Sequence, residues 1–195
     1  MGRRKLTLKP FVKAGASVVC LALFFSLSGG YAAGYVSVRQ DGGEAKAYID
    51  PRESRVILYT TFRINVSVAN AGDGGLYSYV FKLHFNNSLL QGVDVMLPEN
   101  HFLTPRVPKN LFVVACFINQ TGGYAEVAVT LLGDEPGKVG NGTLVTVDFR
   151  AQELGRSNLT ILDCLLLDPY AQDHEQAMVV NGLVEIVPPD FNKDG

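Results

Sequence analysis

The sequence predicts an all-β fold, a nine-stranded sandwich of jelly-roll type, and three observations carry the prediction. In residues 76–90 (LYSYVFKLHFNNSLL), Tyr77, Tyr79, Phe81, Leu83 and Phe85 fall on every second position. Side chains alternate across a strand, so this run has one large apolar face and one that can meet water. Residues 62–69 (FRINVSVA) alternate too, Phe62, Ile64, Val66 and Val68 against Arg63, Asn65, Ser67 and Ala69. Finally, similar short segments recur to residue 187, separated by turn residues and without a sustained helical period.

In order, the strands are expected near 46–49, 62–69, 76–85, 92–96, 111–118, 124–132, 143–151, 158–167 and 178–187. The separators are rich in turn formers: Asp50-Pro51, the 70–75 stretch NAGDGG, Gly122-Gly123, 133–142 and Asp168-Pro169. The inward set should include Ile64, Val66, Tyr79, Phe81, Leu83, Val127, Val129, Val145, Val147 and Phe149.

The chain has 195 residues, 47% hydrophobic and 18% charged, enough for one domain with a real core. Arg3, Arg4, Lys5, Lys9 and Lys13 all precede an apolar run over 14–27 (AGASVVCLALFFSL), which ends in small residues. Basic cluster, short apolar run and small-residue end read as a secretory signal over residues 1–33, cut near Ala32 or Ala33. Extended through Ala33, the run also reaches the 20 residues of an uncleaved membrane anchor. Either way an N-terminal hydrophobic helix is expected, then a linker over 34–45, the sandwich over 46–188 and a Pro-rich connector from 189. Cys20 follows Val19 rather than a small residue, so it is not read as a lipid-attachment site.

Without those five basic residues, the remainder carries 12 basic against 19 acidic side chains, a net charge of −7. Such a surface, lacking a basic stripe, argues against nucleic acid as a partner. Membrane contact is expected only through the N-terminal segment. Five N-x-S/T triplets, at Asn65, Asn86, Asn119, Asn141 and Asn158, exceed chance and support a secreted or cell-surface glycoprotein. Beyond residue 33 the only cysteines are Cys116 and Cys164. A secretory route permits them to pair, and both also suit a strand core as separate thiols.

The chain ends D-F-N-K-D-G, the first half of an EF-hand calcium loop. Asp190, Asn192 and Asp194 would supply oxygens at loop positions 1, 3 and 5, and Gly195 the sharp turn. The carboxylate at position 12 is not in this sequence, so the expectation is an incomplete site on a truncated chain. Calcium is possible there, and no cofactor is expected for the sandwich.

Catalysis is not expected. His84, His101 and His174 lie in three segments without metal-ligand spacing. Glu126, Asp134 and Glu135 could be imagined as a glycosidase pair, but Asp134-Glu135 sits in a Gly/Pro turn, where acids are usually solvated.

The alternating strand, the Gly-rich turn, the aromatic strand ending in F-N-N-S-L-L and the later V-A-V-T-L-L-G-D-E-P-G together resemble a cohesin domain over residues 45–188. The resemblance implies a non-catalytic receptor in cell-surface or polysaccharide-degrading assemblies, docking a dockerin-like module on one flat sheet face. Carried over to this sequence, that face comprises Ser78, Val80, Lys82 and His84 on the third strand and Tyr124, Glu126 and Thr130 on the sixth. The third strand lacks the Asn and Asp of many cellulosomal cohesins. By the same resemblance the C-terminal D-x-N-x-D-G reads as the opening of a dockerin. Carbohydrate binding is the alternative, since cohesins share their sandwich with carbohydrate-binding modules. The sequence offers it no Trp and one main outward aromatic, Tyr124. A surface-layer or adhesive role is the third reading.

Overall fold

The computed structural model of the chain describes residues 39–40, 43–170 and 177–190. The expected N-terminal helix and signal or anchor, part of the linker, His174, Asn192 and Asp194 lie outside the described residues. Among the described residues no helix is long and apolar enough to cross a membrane.

Among the described residues thirteen strands are formed: β1 Arg39–Gln40, β2 Gly43–Glu44, β3 Lys46–Asp50, β4 Glu53–Ile57, β5 Thr61–Leu76, β6 Ser78–His84, β7 Leu90–Met96, β8 Leu111–Asn119, β9 Tyr124–Leu131, β10 Lys138–Ala151, β11 Gly155–Leu167, β12 Met178–Val180 and β13 Gly182–Val187. Strands β1 and β2 pair with each other inside the stretch expected to be linker. The rest build a five-stranded sheet, β12-β3-β5-β10-β7, and a six-stranded sheet, β4-β13-β11-β6-β9-β8.

The sandwich therefore has eleven strands in its two main sheets, not nine, and both additions have a physical origin. β4 (ESRVI) is a short edge strand with only Ser54 and Val56 turned in, too polar to stand out in the sequence. The segment expected as one last strand is split at Asn181. Its first part pairs parallel with β3 in one sheet and its second parallel with β4 in the other.

The Gly-rich stretch 70–75 is also not a free turn. β5 continues through it, paired with β10, with Asn70 and Gly75 in left-handed conformations (φ 57° and 67°). Gly75 is required twice over, since a Cβ there would also run into the Gly137 backbone. The chain then changes sheets at Tyr77, so β5 and β6 face each other across the core rather than forming a hairpin.

The core lies between the sheets. All ten residues predicted to point inward are at most 1% exposed. Each such side chain contributes roughly 1.5–3 kcal/mol by leaving water, which fixes the face each strand turns in. The buried Tyr79 hydroxyl donates to the Leu144 carbonyl at 2.9 Å, so the phenol is satisfied.

Cys116 and Cys164 are both free thiols. Their strands, β8 and β11, are three strand spacings apart, about 14 Å, beyond the reach of a disulfide. Burial pushes the Cys164 thiol up to about 12, as fits a core group, and burial with help from the Asp94 charge also raises that of the part-exposed Cys116.

Candidate docking face

The outer surfaces of the two sheets differ in chemistry. On the five-stranded sheet, Arg63 holds Asp148 through two hydrogen bonds of 2.7 and 2.9 Å, Thr146 donates to Asn65, and Lys46 lies over the Tyr48 ring. The polar groups named there are paired with one another, and the exposed apolar residues on the strands of that sheet are Val93, Val139 and Met178. The outer surface of β11-β6-β9-β8 instead carries large apolar side chains.

Register aligns this face in four rows. They are Leu167, Ser78, Thr130 and Phe112; then Leu165, Val80, Ala128 and Ala115; then Leu162, Lys82, Glu126 and Phe117; and last Thr160, His84, Tyr124 and Asn119. All seven residues expected on the face occupy it, but two are corrected in role. Ser78 and Thr130 are 1% and 4% exposed, and their hydroxyls donate to the Val129 and Leu131 carbonyls. They support the sheet and offer nothing to a partner.

Lys82 is the charged centre. Its ammonium lies 3.0 Å from Asp163 Oδ2 and 6.0 Å from the Tyr124 ring, with Glu126 directly across in register. The hydrogen bond to Asp163, reinforced by Glu126 and outweighing partial burial, raises the Lys82 pKa, so it stays charged. The His84 ring stacks on Tyr124 at 5.5 Å, and Asn119 Nδ2 donates to the Tyr124 hydroxyl at 3.1 Å.

Sequence reasoning missed Phe112, Phe117 and Leu162, each close to half exposed, together with Ala115, Asp163 and Leu165. β8 (LFVVACFIN) is apolar on both faces, a signal that its outer face is not simply solvated. β11 hides its face by a bulge. Register shifts between Leu162 and Leu165, Asp163 takes a left-handed φ of 51°, and the inward positions change from odd to even.

The carboxylates considered for catalysis do not converge on a reaction. Glu135 accepts the backbone N–H of Arg106 (2.9 Å) and Val107 (3.1 Å) and the Asn110 amide (3.0 Å). It clamps the loop that leads into β8 and so positions Phe112. His101 is buried in a different segment from His84. Among the described residues no cluster of three or more His, Cys, Asp or Glu could hold a metal ion.

The bond from Arg106 N–H, with help from Asn110, Val107 and Lys138 and against some desolvation, holds the Glu135 pKa below its ordinary 4.5. A carboxylate depressed in the folded state adds stability above pH 4.5, which disappears as pH falls through the lower folded value. Urea unfolding of the wild type and Glu135→Gln should therefore differ most near neutral pH, and the gap should shrink steadily below 4.5. A gap independent of pH would refute the clamp.

The sandwich is mixed, with parallel pairs at β12-β3 and β13-β4, and its two outer surfaces differ in chemistry. Residues 60–186 match the cohesin domain, and the chain belongs to that family of non-catalytic modules. No curated protein matches its sequence. Among solved structures, it is similar to the non-cellulosomal cohesin of the hyperthermophilic archaeon Archaeoglobus fulgidus, with 20% identity and a TM-score of 0.54 over 75% of this chain and 93% of that one. It is also similar to the OlpA cohesin of Clostridium thermocellum, solved as a type I complex with a dockerin, with 16% identity and a TM-score of 0.57 over 73% of this chain and 99% of that one. A type II cohesin from the cellulosome of Acetivibrio cellulolyticus gives 12% identity and a TM-score of 0.58, over 72% and 94%. At these identities the likeness concerns the fold.

Proposed function

We propose that this chain is a secreted or cell-surface receptor module that docks a dockerin-like, calcium-loaded helical partner on the β11-β6-β9-β8 face. The observation that carries the reading is the set of outward apolar side chains on this face: Phe112 and Phe117 on β8 and Leu162 on β11, each 45–46% exposed, with half-buried Val80 and Leu165 on the strands β6 and β11. Exposed apolar side chains interleaved with a charged pair suit a protein contact, and they include two aromatic rings, whereas the exposed apolar residues on the other sheet's strands, Val93, Val139 and Met178, are aliphatic. Exposed aromatic anchors beside a charged pair suit a helical partner's apolar stripe. The jelly-roll reading of the fold, the D-x-N-x-D-G ending with its incomplete calcium loop at Asp190, Asn192 and Asp194, and the export signal belong to the same picture.

The test is calorimetric titration of the purified chain with dockerin-type modules encoded by the same genome, with calcium and with a chelator. Calcium-dependent binding is expected. Binding to an oligosaccharide and to no dockerin would establish the carbohydrate alternative, and binding to neither would favour a surface-layer or adhesive role. Export is tested separately by N-terminal sequencing of the native protein. A start near residue 33, or an intact N-terminus in the membrane fraction, is expected; an intact chain in the cytoplasm would refute it.

A further inference from the structure

We propose that only Asn86, Asn141 and Asn158 of the five N-x-S/T triplets carry N-glycans on the folded protein, and that Asn86 and Asn158 border one end of the docking face. The proposal rests on the export reading above but not on the partner's identity.

Glycan transfer needs a free side-chain nitrogen and a reachable hydroxyl two residues on. The asparagine Nδ2 attacks the anomeric carbon of a lipid-diphosphate-linked oligosaccharide. The new C–N bond replaces the C–O bond to phosphate, the lipid diphosphate leaves with the electron pair, and the amide proton is lost to base.

Three sites meet these needs. Asn86 is exposed in a turn; its Oδ1 accepts the Ser88 N–H at 3.0 Å, no described group engages its Nδ2, and Ser88 is exposed. Asn141 is exposed where β10 is irregular, between Gly140 and Gly142, and its Oδ1 accepts the Asn70 N–H, again sparing Nδ2. Asn158 points outward from β11, and an open polar cleft of about 330 Å³ is lined by both Asn158 and its partner Thr160. Arg52, Glu53 and Asn181 also line that cleft and offer polar groups to a first sugar.

The other two fail on geometry. The Asn65 triplet fails at its hydroxyl: Ser67 is only 4% exposed, whereas Thr160, the hydroxyl residue of the Asn158 triplet, is part-exposed and lines the cleft. Asn119 has both side-chain atoms engaged: Nδ2 donates to Tyr124 OH and Oδ1 accepts the Gly122 N–H at 2.8 Å. It braces Tyr124 within the face.

Asn158 lies one position beyond Thr160 in the outward series of β11, and the Asn86 N–H bonds Ser157 Oγ at 3.0 Å. Both sites therefore flank the Thr160–His84 end. No N-x-S/T triplet lies in the rows of Val80 and Phe112, so the exposed side chains there, Phe112 above all, keep a side from which a partner would approach.

Glycopeptide mass spectrometry of the native protein tests this. Occupancy at Asn86, Asn141 and Asn158 with Asn65 and Asn119 bare is the expected result. Glycan at Asn65 or Asn119, or no glycan at Asn86 and Asn158, would overturn it. Occupancy as stated without dockerin binding would refute the docking reading alone, and dockerin binding by a protein bare at Asn86 and Asn158 would refute this one alone.

Discussion

Val80→Asp is expected to weaken dockerin binding at least about thirty-fold while leaving the fold intact. Val80 lies on the outer face between Leu165 and Ala128 in register, half-buried and pointing away from the core. A carboxylate there stays hydrated in the free protein, so unfolding transitions should barely move. Docking would strip that hydration among apolar neighbours, at a cost of at least about 2 kcal/mol. Lys82, two positions along the strand, is already engaged by Asp163 and cannot neutralise the new charge without giving up that bond. Thr61→Asp, at an exposed position on the other sheet, serves as the control and should bind like the wild type. Equal affinity for Val80→Asp and the wild type would remove this face from the interface. Loss of binding together with loss of the unfolding transition would show instead that Val80 belongs to the core.

The parts of the molecule legible in the sequence are those where one period runs unbroken. In β6 and β9 every inward residue follows the last at spacing two, from Tyr79 to Leu83 and from Ala125 to Leu131, so both strands and their outward partners were readable. Period two fails wherever a bulge inserts a residue. β11 changes parity at Asp163, and β10 shifts register between Thr143 and Val145. A face that includes Leu162 and Leu165 cannot be read from alternation, because the two differ by an odd number. Ser78 and Thr130 show a second limit. Alternation says which side of the sheet a residue is on, but not whether its neighbours cover it. The 70–75 stretch shows a third: glycine and asparagine permit left-handed backbone, which serves an irregular paired strand as well as a turn. The split of the last strand between sheets was invisible because Asn181, whose Oδ1 accepts the Ile161 N–H, carries no sequence signal of a sheet change.

Phe149→Ala is expected to be among the most destabilising single changes in the chain, while leaving the docking face in place. Phe149 is fully buried on β10, its ring stacked against Phe62 at 5.8 Å and met edge-on by Phe85 at 4.9 Å. It thus ties β5 to the chain leaving β6, across the two sheets. Its register partner on β7, Gly92, has no side chain, and the space where a Cβ would stand is already filled by Ile118 Cγ2 at 2.7 Å. The backbone strands on both sides are held by ladder bonds, so the cavity left by alanine cannot collapse cheaply. A loss of about 4 kcal/mol follows, or roughly 8–16 °C in Tm for a domain of this size. Phe149→Leu retains much of the volume and should lose less than half as much. Urea and thermal unfolding of the three proteins measure the series, and a Phe149→Ala loss below about 1 kcal/mol would contradict the packing described. Phe149 belongs to the five-stranded sheet and the docking face to the six-stranded one. At a temperature where Phe149→Ala is still folded, its affinity for the partner should therefore match the wild type, the reverse of the pattern expected for Val80→Asp.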